Sequence, residues 1–148
     1  MSRPTPPRRE AYPHLVPMET RWMDNDLYGH LNNVVYYSLF DTLINRYLIK
    51  EGGLDIQRGP VLGYMVQTSC TFAGAVAFPD ELQGGLRVDH LGTSSVRYQA
   101  AIFRAGEDDA RAFGELTHVF VERDSQRPTP IPAPLRAALA RLCAPAPR

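Results

Sequence analysis

The sequence predicts an α+β domain in which a curved antiparallel β-sheet of about five strands wraps one long central α-helix. Three observations carry this expectation. Residues 32–50 repeat apolar side chains at helical spacing, the runs after Pro60 alternate with a period of two, and the gaps between those runs are short.

Each element follows from its own pattern. Residues 1–13 hold prolines and charges without an apolar period and are expected to form a flexible Pro/Arg-rich arm. A strand begins near His14 and is expected to run to Met23. Tyr36, Leu39, Phe40, Leu43, Ile44, Tyr47 and Leu48 then recur on one helical face, while Ser38, Asp41, Thr42 and Asn45 fill another. The Gly52-Gly53 pair supplies the C-terminal stop of this helix, Asn32–Lys50.

After Pro60, Leu62, Tyr64, Val66, Cys70 and Phe72 alternate with Gly63, Gln67, Ser69 and Thr71, which predicts one long strand with a wetter face. Leu82–Leu91, Ser95–Arg104 and Ala110–Glu122 are three further strands, preceded by Pro79-Asp80, Gly92 and the turn AGEDD. Short gaps make sequence neighbours the economical antiparallel partners. The tail has one short helical candidate, Pro134–Leu142. The only long helix must cover the sheet's apolar face, so the sheet is expected to curl around it. Residues 14–135 thus form one domain, with a short helix and Pro-rich tail over 136–148.

Composition narrows the function classes. Sixteen basic residues balance sixteen acidic ones, so no global field favours a polyanion, and nucleic acid is not an expected partner. No apolar run reaches the length of a secretory signal core or a membrane span, and a cytoplasmic protein is expected. Cys70 and Cys143 lack CxxC spacing and read as incidental thiols.

The chemistry concentrates in RWMDNDLYGHLNN, Arg21 to Asn33, at the seam between the first strand and the helix. The first turn of a helix presents N–H groups without internal partners and the positive end of its dipole, so it attracts an oxyanion or a polarised carbonyl. Asn32 or Asn33 is a candidate cap. Asp24 and Asp26 precede the helix, and a turn containing Gly29 can fold either carboxylate back towards its N-terminus. An Asp in this position is more often a cap or turn residue than a base, and His30 beside a turn is more often structural. Asp24, Asp26 and His30 offer metal-ligand types, but no fourth ligand adjoins them, and no metal is expected. The chain has no GxSxG elbow, and neither cysteine has a histidine at a telling spacing.

These residues carry a resemblance. RWMDNDLYGHLNNVVYYSLFDTLINRYL is similar to the signature of the 4-hydroxybenzoyl-CoA thioesterase-like branch of the hot-dog superfamily, a run of the form R-[WF]-x-D-x-D-x-x-G-H-x-N-N leading into the central helix. FAGAVAFPDEL, HLGTSSVRY and THVFVERDSQRPTPIP resemble later family segments, so the likeness covers residues 14–135. It implies an acyl-CoA thioesterase of hot-dog fold that needs no cofactor. It also implies a homo-oligomer, a dimer or dimer of dimers, with acyl-CoA at the subunit interface.

By position the resemblance makes Asp26 the catalytic carboxylate, acting as nucleophile or general base, and Asp24 a partner that holds the turn. The backbone N–H of Asn33 polarises the carbonyl, Gly29 permits a tight approach, and His30 shapes the site. Some members place adjacent arginines near HLGTSSV to meet the CoA phosphates, where this chain has Gly92-Thr93. Ser94, Ser95 and Arg97 are the remaining candidates for that contact. Tyr36 is a candidate for the acyl pocket, with Tyr37, Phe40, Tyr64 and Phe72 as further aromatics of suitable spacing. Two other readings compete: a non-catalytic module binding acyl-CoA or an acyl-carrier protein, and a hot-dog dehydratase. The dehydratase would need a histidine base and prolines where Asn32-Asn33 stands.

Overall fold

The helical period forms α1, Asn33–Lys50, in a computed structural model that describes residues 4–143. The ends of the expected arm and tail, residues 1–3 and 144–148, lie outside the described residues. α1 buries Tyr36, Leu39, Phe40, Leu43, Ile44, Tyr47 and Leu48, the same seven residues that the period selects. Beyond Lys50 the chain turns through Gly53 at φ 68°, a left-handed conformation that glycine adopts without a Cβ penalty.

The strands are β1 His14–Met18, β2 Val61–Thr68, β3 Thr71–Phe72, β4 Leu82–Leu91, β5 Ser95–Arg104 and β6 Ala112–Glu122. They form one antiparallel sheet in the order β1-β4-β5-β6-β2, with β3 also paired to β6. Val88, Val96, Tyr98, Ala100, Ile102, Leu116 and Phe120 close over α1 in one core. This is the hot-dog fold: a curved sheet wrapped around a single long helix. A second helix, α2 Ala133–Arg141, buries Leu135, Ala138 and Leu139. It packs on α1 through a hydrogen bond that the Tyr47 hydroxyl donates to the Ala138 carbonyl.

The sheet departs from the sequence expectation in four ways. β2 pairs with β6 at the far edge rather than with β4, the next strand the sequence predicts, and β4 instead lies beside β1. The first strand stops at Met18, and Trp22–Asp24 forms a 3-10 turn in place of its last residues. The expected long strand over 62–72 is broken at Ser69-Cys70 into β2 and β3, which gives six strands where about five are expected. The face of β2 is also reversed. Met65 packs against the core while Tyr64 and Val66 are exposed, and a register shift falls between Met65 and Gln67.

Residues 7–12, within the expected arm, are packed against the sheet. The Arg9 N–H donates to the Asp108 carbonyl and the Ala110 N–H to the Pro7 carbonyl, both at 2.9 Å. Tyr12 is buried edge-on against Phe103, with Ala101 and Ala110 beside it. One buried aromatic ring outweighs the polar composition around it, because its burial contributes roughly 1.5–3 kcal/mol.

A polar pair sits inside the core. The Tyr98 hydroxyl lies 3.0 Å from His118 Nδ1, and both side chains are buried. Burial pushes the His118 imidazole down from 6.5 to about 4 and the Tyr98 phenol well above its usual range. The fold therefore holds His118 neutral. As pH falls from 6.5 to 4, the unfolded chain binds a proton that the folded chain refuses, so stability declines across that window by on the order of 3 kcal/mol. Urea midpoints measured from pH 7 to pH 4 should show this fall, and His118→Leu should lose that part of the slope.

Candidate active site

The segment between β1 and α1 is tied down at both ends before it presents any chemistry. Asp24 is 2% exposed, and its carboxylate accepts from the Arg21 backbone N–H at 2.7 Å and from Arg21 Nε at 3.0 Å. The Asp24 carbonyl accepts the Asn32 N–H at 2.9 Å, which fixes the start of α1 against the 3-10 turn. Asn25 Oδ1 accepts the Phe78 N–H, and the Leu31 N–H donates to the Val76 carbonyl, each at 2.9 Å. The intervening loop is closed by the Asp26 N–H on the His30 carbonyl and the Gly29 N–H on the Asp26 carbonyl.

Gly29 has φ +83°, yet an added Cβ would meet nothing within 4 Å. Within the chain the requirement is the left-handed backbone, which lets the loop reverse and bring Asp26 back beside α1. His30 is exposed and contributes its carbonyl to the loop.

Asn32 caps α1, its Oδ1 accepting the Val34 N–H at 3.1 Å, and its carbonyl takes the Val35 N–H at 2.9 Å. No acceptor among the described residues pairs with the Asn33 N–H. One first-turn donor is thus left pointing out of the helix mouth. Asn32→Ala should lower stability by about 1 kcal/mol, readable as a shift of the urea midpoint.

Asp26 and Asn33 line the same cavity, of about 590 Å³, together with Tyr28, His30, Leu31, Tyr36, Phe72 and residues 73–75. Asp26 is half-buried. Its Oδ1 accepts the Tyr28 N–H at 2.9 Å, and Oδ2 has no hydrogen-bond partner among the described residues. A carboxylate with one oxygen anchored and one free, across a cavity from an unpaired N–H, can meet a carbonyl carbon while its oxygen rests on the helix mouth. No group of three or more His, Cys, Asp or Glu side chains able to hold a metal occurs among the described residues.

The cavity's far wall, residues 73–75, is a feature the sequence reading misses. Arg111 holds it. The Arg111 carbonyl accepts the N–H groups of Ala73 at 2.8 Å and Gly74 at 3.0 Å, and its Nη1 donates to the Ala75 carbonyl at 3.2 Å. The guanidinium is braced by Glu107 at 2.7 and 2.8 Å, and these hydrogen bonds hold the Glu107 carboxyl down at about 2. Nothing in the local pattern of 73–75 signals this, because the strap comes from more than thirty residues away.

Of the residues expected at the site, Asp26, Gly29, His30, Asn33 and Tyr36 gather at this end of the molecule. Ser94, Ser95 and Arg97 do not. Ser95 is opposite Val119 in the sheet whereas Phe72 is opposite Ala112, seven residues along β6 and roughly 23 Å away at about 3.3 Å per residue. Arg97 is also engaged, its Nε 2.8 Å from Asp89 and 3.9 Å from Glu115. The hydrogen bond with Asp89 raises the guanidinium above its ordinary value.

Comparison with known proteins identifies the family and the fold. Residues 20–139 match the family model described as the thioesterase-like superfamily. Among solved structures, the chain is similar to the PA5185 protein of Pseudomonas aeruginosa strain PAO1, at 54% identity over 96% of this chain and 99% of that one, with a TM-score of 0.93. It is also similar to a thioesterase from Thermus thermophilus complexed with coenzyme A and Zn, at 27% identity over 90% and 96% of the two chains, with a TM-score of 0.74. A 1,4-dihydroxy-2-naphthoyl-CoA thioesterase from Synechocystis shares the fold at 18% identity over 88% and 98%, with a TM-score of 0.77. No curated protein shows significant similarity to the chain.

Proposed function

The chain belongs to the thioesterase-like superfamily, and from that premise we propose that it hydrolyses the thioester of an acyl-CoA to the free acid and CoA, with Asp26 as nucleophile or general base. The observation that carries this reading is the shared cavity of Asp26 and the unpaired Asn33 N–H. In the general-base route Asp26 takes a proton from water as the water oxygen bonds to the carbonyl carbon. The oxyanion forms on the Asn33 N–H, then collapses and expels the CoA thiolate, which takes up the proton from Asp26 and so restores its carboxylate. In the nucleophilic route the Asp26 carboxylate itself displaces the thiolate to give a mixed anhydride, and water hydrolyses that anhydride to regenerate the carboxylate. In either route the helix mouth supplies stabilisation of roughly 3–4 kcal/mol by analogy with single oxyanion donors. The thiolate needs little acid help, so the exposed His30 shapes the site rather than transferring a proton.

The working unit is proposed to be a cytoplasmic homo-oligomer, a dimer or dimer of dimers. β2 is a sheet edge, and Tyr64, Val66 and Phe72 are exposed near it, as are Leu27, Tyr28 and Val34 around the helix mouth. Large exposed apolar groups gathered at a free edge favour burial against a second copy. In such an assembly the Ser94-Ser95 segment of one copy is proposed to approach the Asp26 mouth of the other. That arrangement gives Ser94, Ser95 and Arg97 a route to the CoA phosphates, provided Arg97 exchanges its Asp89 partner for phosphate. The Thermus thermophilus relative's complex with coenzyme A supports the choice of thioester donor. Release of free thiol from a panel of short, long and aromatic acyl-CoAs tests the proposal. Binding of the esters without thiol release would instead make the protein a non-catalytic acyl-CoA module.

A further inference from the structure

Resting on the thioesterase reading above, we infer that Tyr36 is the end wall of the acyl chamber and confines the enzyme to short-chain or single-ring acyl groups. Tyr36 lines the cavity that holds Asp26 and Asn33, and it is 3% exposed. One turn further along α1 comes Phe40, then Leu43, Ile44 and Leu48, all at 0–1% exposure. The sheet residues facing them, Tyr98, Ala100, Ile102 and Phe120, are fully buried as well. An acyl tail that passed Tyr36 would have to run between helix and sheet, where side chains already fill the space at the density of a protein interior. The chamber therefore stops at the phenol ring.

The ring is held on two sides. It meets Phe72 edge-on, with centroids 5.0 Å apart at 82°. Burial raises the phenol above its ordinary value, and the neighbouring Val76 backbone partly offsets that push. Phe72 remains 47% exposed, so one aromatic surface of the pair faces the cavity while the other seals it. Residues 73–75 are Ala, Gly and Ala, and their small side chains leave room beside Phe72 for a flat or short acyl group but supply no tunnel onward. A shallow chamber closed at its inner end selects by length, since each added methylene must find space that is absent beyond Tyr36.

The test compares kcat/KM for butyryl-CoA and lauroyl-CoA in the wild type, Tyr36→Ala and Tyr36→Leu, by thiol release. The wild type should favour butyryl-CoA by about ten-fold or more, and Tyr36→Ala should move the ratio towards lauroyl-CoA by about ten-fold. Tyr36→Leu keeps the burial while shortening the wall, so it should shift the ratio the same way even if Tyr36→Ala does not fold. A wild type that turns over lauroyl-CoA as well as butyryl-CoA, or an unchanged ratio in a folded variant, would overturn the end-wall assignment alone. Absence of hydrolysis with every ester would overturn the thioesterase reading together with it.

Discussion

Asp26→Asn is expected to lower kcat for acyl-CoA hydrolysis by about 10²–10⁴-fold, the range for loss of a positioned general base. The fold should survive. The Asp26 backbone makes the two loop hydrogen bonds, which the substitution leaves intact, and an Asn Oδ1 can still accept the Tyr28 N–H. Stability should then change by no more than about 0.5 kcal/mol, because the half-buried side chain keeps its one hydrogen bond. Asp24→Ala should do the opposite. It removes a buried carboxylate that accepts from the Arg21 backbone and side chain, at a cost of about 1–2 kcal/mol. Thiol release and urea midpoints on the same two variants separate the roles. An Asp26→Asn enzyme at full rate would remove Asp26 from the mechanism.

Gly114→Ala is expected to destabilise the protein by about 3 kcal/mol or more. A Cβ at Gly114 would stand 1.9 Å from the Ser69 carbonyl oxygen and 3.2 Å from Cys70 Cα. Neither can move cheaply, because both are backbone, and the Ser69 N–H is already committed to the Glu115 carbonyl at 2.9 Å. The clash falls where β2 breaks from β3, so any shift is passed on to Phe72 and the cavity wall at 73–75. Activity in the surviving folded fraction should fall along with the midpoint. Gly29→Ala is the control: its strain is conformational, at φ +83° with open space around the Cβ, and should be limited to about 1 kcal/mol. A Gly114→Ala midpoint equal to that of the wild type would mean that β6 does not approach Ser69 this closely.

The sequence by itself determines α1 and its buried face, because seven apolar side chains at a 3.6-residue period leave only one surface for the sheet to cover. It likewise sets the existence of the later strands and the gathering of Asp26, Gly29, His30 and Asn33 around a helix start, since all of these are local in the chain. The tertiary structure decides strand order. Alternation with a period of two is the same whichever neighbour a strand takes, so the pairing of β2 with β6, and of β4 with β1, has no local signature. It also decides which candidates meet. Ser95 and Phe72 lie seven residues apart along β6 because register places them there, and residues 73–75 are strapped into a cavity wall by Arg111. Tyr12, in a stretch of prolines and charges, is buried because a sheet surface formed by distant residues receives it. Periodicity records which face of a segment avoids water, whereas the partner that keeps water out is chosen only when the whole chain has closed.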